Sequence, residues 1–228
     1  MGKIIAIVNQ KGGVGKTTSA VNIASALAIY EKKTLLVDFD PQGNSSSGIG
    51  VEGSSPNIYE ALIGQAKMAE VIKKSPILEK LDIVPSNVDL SGAEIELVKE
   101  YSREFKLKEA LDSIKDDYDY IIVDCPPSLG LLTVNTLTAC TDVLIPIQCE
   151  YYALEGVSQL LNTIRLIKKG LNPDLNIMGI LLTMYDRRLN LSLQVAKEVR
   201  RYFQEQAFST IIHRSVKLSE APSFGKSI

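Results

Sequence analysis

The stretch Gln10-Lys11-Gly12-Gly13-Val14-Gly15-Lys16-Thr17-Thr18 constrains this chain more than any other. It follows an apolar run at residues 4–8 and precedes residues 19–28, where small and apolar side chains recur at helical spacing. The predicted order is strand, glycine loop, helix, which is the setting that a phosphate-binding loop requires. Glycines let the backbone turn with successive N–H groups directed inward, and the start of the next helix adds partial positive charge. In such a loop Lys16 reaches the outer phosphates of a nucleotide, and the Thr17 hydroxyl ligates Mg²⁺. The match to G-x-x-x-x-G-K-[ST] is incomplete. Gln10 stands where the first glycine belongs, and a second lysine, Lys11, lies inside the loop. A glycine turn that only packs a helix on a sheet does not explain two lysines flanking three glycines.

Further apolar runs at 34–38, 81–85, 120–124, 142–147, 177–182 and 210–212 read as strands. Helical patterns lie around 59–62 and 69–72, then at 93–101, 107–114, 129–137, 154–167 and 195–203. Residues 41–48 read as a polar loop of turn formers. Strands alternating with helices predict an α/β fold: one domain over residues 1–228, with a mostly parallel twisted sheet flanked by helices on both faces. No apolar run is long enough to cross a bilayer, and no secretory signal is expected, because a strand starts at Lys3. Met1-Gly2 suggests myristoylation, but Ala6 stands where that motif needs Ser or Thr. Cys125, Cys140 and Cys149 lack metal-ligand or C-x-x-C spacing and read as small buried hydrophobes in a reducing cytoplasm.

In parallel sheets, ligands gather at the carboxyl ends of the strands. That rule selects the glycine loop, Asp38 and Asp40, Asp124, residues 148–150 and residues 183–188. Asp124 suits a carboxylate that holds Mg²⁺ across from Thr17; the competing reading is an N-cap for the following helix. Asp40 could orient or deprotonate an attacking water, or join the metal ligands, while Asp38 anchors the loop or the metal shell. Turn chemistry before Pro41 competes for both.

The net charge of −2 alone argues against a nucleic-acid partner, but its distribution does not. From Thr183 onward there are eight basic and four acidic residues, so that segment is +4 and the remainder is −6.

Four of these motifs, residues 11–18, Val37 to Asn44, Asp124 to Gly130 and Glu150 to Gly156, resemble the ParA/Soj family of chromosome- and plasmid-partitioning ATPases, which are P-loop NTPases of deviant Walker A type. So does Leu218 to Lys226, and the resemblance runs from Met1 to Ile228. It implies an ATPase with slow intrinsic turnover that uses ATP and Mg²⁺ and forms an ATP-sandwich homodimer. Lys11 would be the signature lysine that reaches the partner's phosphates, and Gly12 would lie where the two loops meet. Gly13, Val14, Gly15, Lys16, Thr17 and Thr18 would hold the phosphates. Asp40 would position the hydrolytic water, and Glu150 would approach the partner's nucleotide. The base would lie between Met184 and the segment near His213, where the family usually has proline. The resemblance also implies non-specific binding of double-stranded DNA by the ATP dimer, through Arg188 and Lys217 with Arg187 and Arg214 beside them. It implies a ParB/Spo0J-like protein that stimulates hydrolysis, and a cytoplasmic, nucleoid-associated location. Relatives continue past the Phe-Gly-Lys motif, so a final helical segment is expected to be missing here. A MinD-like membrane-cycling ATPase is the main alternative, but no basic amphipathic tail is visible. A nitrogenase-type iron protein would need its cysteines elsewhere, and an ATP-dependent synthetase would need a substrate pocket that the sequence does not reveal.

Overall fold

In the computed structural model, which describes residues 2–150 and 155–228, the chain alternates strands and helices. The strands are β1 (Lys3–Ile7), β2 (Thr34–Asp38), β3 (Lys73–Lys74), β4 (Leu81–Val84), β5 (Tyr120–Asp124), β6 (Asp142–Gln148), β7 (Asn176–Tyr185) and β8 (Ala207–His213). They form one sheet in the order β3-β4-β2-β5-β1-β6-β7-β8. Every pairing is parallel except the short β3 edge, which runs antiparallel to β4. The helices are α1 (Lys16–Ile29), α2 (Asn44–Gly48), α3 (Ile58–Leu62), α4 (Met68–Val71), α5 (Leu90–Glu96), α6 (Lys106–Asp112), α7 (Leu131–Ala139), α8 (Glu155–Gly170), α9 (Asn190–Phe203) and α10 (Val216–Glu220).

The alternation of strand side chains divides the core in two. Ile4, Ala6 and Val8 face one layer, with Leu107, Leu132, Leu160 and Val199 from helices packed on that side. Ile5 and Ile7 face the other, against Ala20, Val21 and Ala24 of α1. Both sheet faces are therefore covered, which is why the central strands read as unbroken apolar runs.

The strand β1 sits centrally, between β5 and β6. Chain connections leave it toward β2 on one side and reach β6 on the other. That arrangement opens a crevice at the carboxyl ends of the strands, where the glycine loop emerges.

Local differences from the sequence reading have physical reasons. Residues 44–48, expected as loop, form the helix α2. Gly43 turns the chain at φ 64°, and the Asp38 carboxylate accepts from the Ser46 N–H. The helical pattern expected at 93–101 starts at Leu90 and tightens after Glu96 into a 3₁₀ turn at Leu97–Lys99. The segments β3 and α10 were not expected, because so few residues show no periodicity. Leu154, the first position of the stripe expected at 154–167, lies outside the described residues.

Candidate functional site

The glycine loop leaves β1 through Asn9, which is buried. Its Nδ2 donates to the Pro146 carbonyl at 2.7 Å, and its Oδ1 accepts from the Lys11 N–H at 3.0 Å, so one side chain ties the loop to β6. Gly13 and Gly15 adopt φ 72° and 89°, the left-handed region that side chains with a Cβ disfavour. Gly15 immediately precedes α1. From the far side the Thr183 hydroxyl donates to the Val14 carbonyl at 2.8 Å. Next to it Met184 holds φ 50° at the irregular end of β7, an uncommon conformation for a residue other than glycine.

Lys16 is buried, and its ammonium donates to the Lys11 carbonyl at 3.1 Å. Burial lowers its pKa, and Asp124, Cys125 and Asp40 pull the other way. Asp124, at the end of β5, is fully buried. Its Oδ2 accepts from the Ser45 hydroxyl at 2.7 Å, while its Oδ1 accepts no hydrogen bond. Burial first, then the charge of Asp38, raises its pKa to about 7, against the hydroxyls of Ser45 and Thr17. Asp124 does not cap the next helix, whose N-cap is Gly130 without a side-chain bond. Asp38 is buried too and raised to about 6, mainly by burial. It accepts from the Asp40 N–H and from both the N–H and hydroxyl of Ser46, so it anchors the loop after β2. Asp40 accepts from the Gln42 N–H at 3.0 Å.

A cavity of about 400 Å³ lies over the glycine loop, lined by Lys16, Thr17, Asp40, Asn44, Pro127 and Met184 among others. A smaller one of about 130 Å³ adjoins it between Thr18, Met184, Ile212 and His213. Beyond the His213-Arg214 wall is a concavity of about 590 Å³ that Arg187, Arg188 and Arg214 also line. The β7–β8 pairing Tyr185↔His213 brings these segments together, and the two rings meet edge to face at 5.4 Å. Lys217 is exposed on α10, outside the walls of that concavity.

The AAA domain family pattern matches residues 2–177. The sporulation initiation inhibitor protein Soj of Bacillus subtilis is 58% identical over 230 residues, covering 100% of this chain and 90% of that protein. The chain belongs to the ParA/Soj family of chromosome-partitioning ATPases. The chromosome partitioning protein ParA of Myxococcus xanthus is 57% identical, covering 100% of this chain and 81% of that one. Among solved structures, the cobyrinic acid a,c-diamide synthase of Mycobacterium smegmatis with bound ATP analogue and magnesium superimposes with a TM-score of 0.89. It is 38% identical and covers 99% of this chain and 93% of that one.

Against this ParA/Soj membership, the residues expected at the site fall into three groups. Gly12 to Thr18, Asp40 and Asp124 meet around the loop. Met184 and His213 meet at the adjoining smaller cavity. Arg187, Arg188 and Arg214 share the outer concavity. Glu150 follows β6 and stands between two cations, 4.0 Å from Lys11 Nζ and 3.8 Å from Arg214. The motif at 150–156 continues through residues 151–154, which lie outside the described residues. Asn9, Ser45 and Thr183 were not singled out for side-chain roles by the sequence reading. Only the strand-end rule pointed to their neighbourhood.

The residues present fit a magnesium ion held together with nucleotide phosphates. Asp124 Oδ1 is a buried acceptor without a donor, and the Thr17 hydroxyl lies near the same carboxylate. Among the described residues no cluster of three or more His, Cys, Asp or Glu side chains could hold an ion unaided. That suits Mg²⁺, which takes one or two carboxylates and completes its shell with phosphate oxygens and water.

Proposed function

We propose that this ParA/Soj ATPase cycles between an ATP-bound dimer that holds DNA and a monomer that lets it go. ATP and Mg²⁺ are its cofactors, and the cation neutralises phosphate charge and orients the outer phosphate when bound. Lys16 and the inward N–H groups of residues 12–18 hold the phosphates. Thr17 and Asp124 hold the ion, and Asp40 positions the attacking water. Lys11 serves the nucleotide of a second copy, neutralising charge that develops during transfer. Met184 and His213 flank the base, with Glu150 beside the partner's nucleotide. Turnover is slow until a ParB-like protein completes the site. The dimer binds double-stranded DNA without sequence preference and so acts on the nucleoid.

The observation that carries this reading is the unsatisfied, buried Asp124 Oδ1 beside Thr17 and Lys16, under an open glycine loop. A buried acceptor without a donor costs stability unless a ligand completes it. A Cβ built on Gly12 meets nothing within 4 Å, which leaves room for a second loop. The DNA part is supported by three arginines around one concavity on a chain whose remainder is acidic.

The test is ATP hydrolysis with DNA, with anionic liposomes and with neither, each with and without the cognate ParB-like protein. DNA and the partner together should accelerate turnover, and liposomes should not. Sedimentation with liposomes in ATP would favour the membrane-cycling reading instead. Among the described residues no helix is long and apolar enough to cross a membrane.

A further inference from the structure

The two lysines of the glycine loop end in different places. Lys16 is buried and lines the cavity over the loop. Lys11 is not among the walls of that cavity. Its side chain is 37% exposed, and its ammonium stands 4.0 Å from Glu150, just after β6. Both carry a compact charge on a flexible stem, so side-chain chemistry alone does not decide which one serves the chain's own nucleotide. The backbone between them does.

The decision starts at Asn9, which is 3% exposed. Its Oδ1 accepts from the Lys11 N–H two residues on, which makes an Asx turn. Its Nδ2 donates to the Pro146 carbonyl of β6. A short amide suits both partners. Pro146 offers a carbonyl and no N–H, while Lys11 offers an N–H here, so the position needs one donor and one acceptor. Aspartate would set a second acceptor against the Pro146 carbonyl.

The other backbone group of Lys11 is engaged as well. Its carbonyl accepts from the Lys16 ammonium at 3.1 Å. With N–H and carbonyl both held, the tetrahedral Cα of Lys11 has one direction left for its side chain, and that direction leads toward Glu150. Among the described residues nothing accepts from the N–H groups of Gly12, Gly13, Val14 or Gly15. The Asx turn therefore marks the point where the loop stops bonding to its own chain and starts to present donors.

We propose that Asn9 is the positioning residue that sorts the two lysines. Through the Lys11 backbone it parks Lys16 at the chain's own nucleotide site and turns the Lys11 side chain away from it, toward a second copy. This rests on the reading, given above, that Lys11 serves the second copy's nucleotide.

The test compares Asn9→Ala, Asn9→Ser and Lys11→Ala with wild type, each as the full chain. Asn9→Ala and Asn9→Ser both lose the bond to Pro146, so their melting temperatures should fall alike. Serine keeps the turn, because its hydroxyl accepts from the N–H two residues on, more weakly than the amide does. ATP turnover by Asn9→Ala should fall by about tenfold or more, the scale of a displaced reacting group, and Asn9→Ser should recover most of it. Affinity for a fluorescent ATP analogue should fall much less than turnover, and the ATP dimer should persist by light scattering. If Asn9→Ser is as slow as Asn9→Ala, Asn9 only ties the loop to the sheet and the proposal is overturned. Equal losses of affinity and turnover, or loss of the dimer, overturn it too, since Asn9 then shapes the loop as a whole. Should Asn9→Ala not fold, Asn9→Ser still decides: turnover near wild type supports the sorting, and a tenfold fall overturns it. Lys11→Ala separates the two readings. If it turns over as wild type does, the cross-subunit role fails and the sorting fails with it. If it is slow while Asn9→Ala is not, the sorting alone fails.

Discussion

Single side chains decide the proposed phosphate site. Lys16 is buried next to Asp124 and already bonded to its own loop, so its ammonium is fixed before any nucleotide arrives. Lys16→Ala should weaken ATP binding by about 100-fold or more, the scale of a lost charge-assisted bond to phosphate, read by titration with a fluorescent ATP analogue. Gly12→Val should fold and bind ATP as wild type does, because nothing in its own chain meets the new side chain. It should not form the ATP dimer, and a dimer seen by light scattering would sink the cross-subunit geometry. Asp40→Ala gives up one bond to the Gln42 N–H, about 1 kcal/mol of stability. It should still bind ATP with Mg²⁺ but turn over slowly; lost affinity would instead assign Asp40 to the ion. Lys16, Thr17 and Asp124 were legible in the sequence because the loop's spacing and the end of an apolar strand mark them. Asn9, Thr183 and Ser45 were not, since their partners Pro146, Val14 and Asp124 are distant in the chain and only the folded sheet brings them close.

At the level of elements, the strands were readable for the same reason that they are stable. A strand covered on both faces must be apolar throughout, and the runs at 120–124 and 142–147 declare it. Short pieces carry no such signal. The helix α2 is held by Gly43 and Asp38 rather than by its own five residues, of which three are serine. The cysteines test the core between elements. Cys125 follows β5, Cys140 follows α7 and Cys149 follows β6, and all three are buried. Burial pushes the first two thiols far up and Cys149 up to about 11. A shift of that size leaves Cys149 with about a hundredfold less thiolate at pH 8 than an ordinary thiol, and the thiolate is the reactive form. Native protein should therefore react very slowly with a disulfide reagent at pH 8, and all three thiols should appear at once in denaturant. Prompt reaction of Cys125 or Cys149 in the native state would show that the sheet's carboxyl edge opens, and of Cys140 that the amino edge does.

For the whole molecule, charge is the governing asymmetry. The sequence revealed that the segment from Thr183 is basic, but not that β7 and β8 lie side by side and bring three of its five arginines onto one concavity. Nor did it reveal that Ile95 and Val98 stay exposed, which depends on which side of α5 and its 3₁₀ turn the core uses. Each phosphate neutralised should steepen the fall of log K with log salt by about 0.9. Arg188→Glu or Lys217→Glu should weaken ATP-dependent binding to any DNA sequence alike, flatten that slope and leave the dimer intact; equal binding by the doubly substituted protein would refute the assignment. Arg188 does not project freely into solvent. Its Nε and one terminal nitrogen donate to the two oxygens of Asp186 at 2.9 and 2.7 Å, and its N–H donates to the same carboxylate. A guanidinium gripped this way keeps only its outer edge for a passing phosphate, while the carboxylate behind it repels that phosphate. Contacts of this kind are shallow and break quickly, so the protein would hop from site to site instead of settling. Asp186→Asn should lengthen single-molecule dwell times on DNA. If the chain holds DNA as proposed, one aspartate would make it a track to be crossed rather than a place to be held.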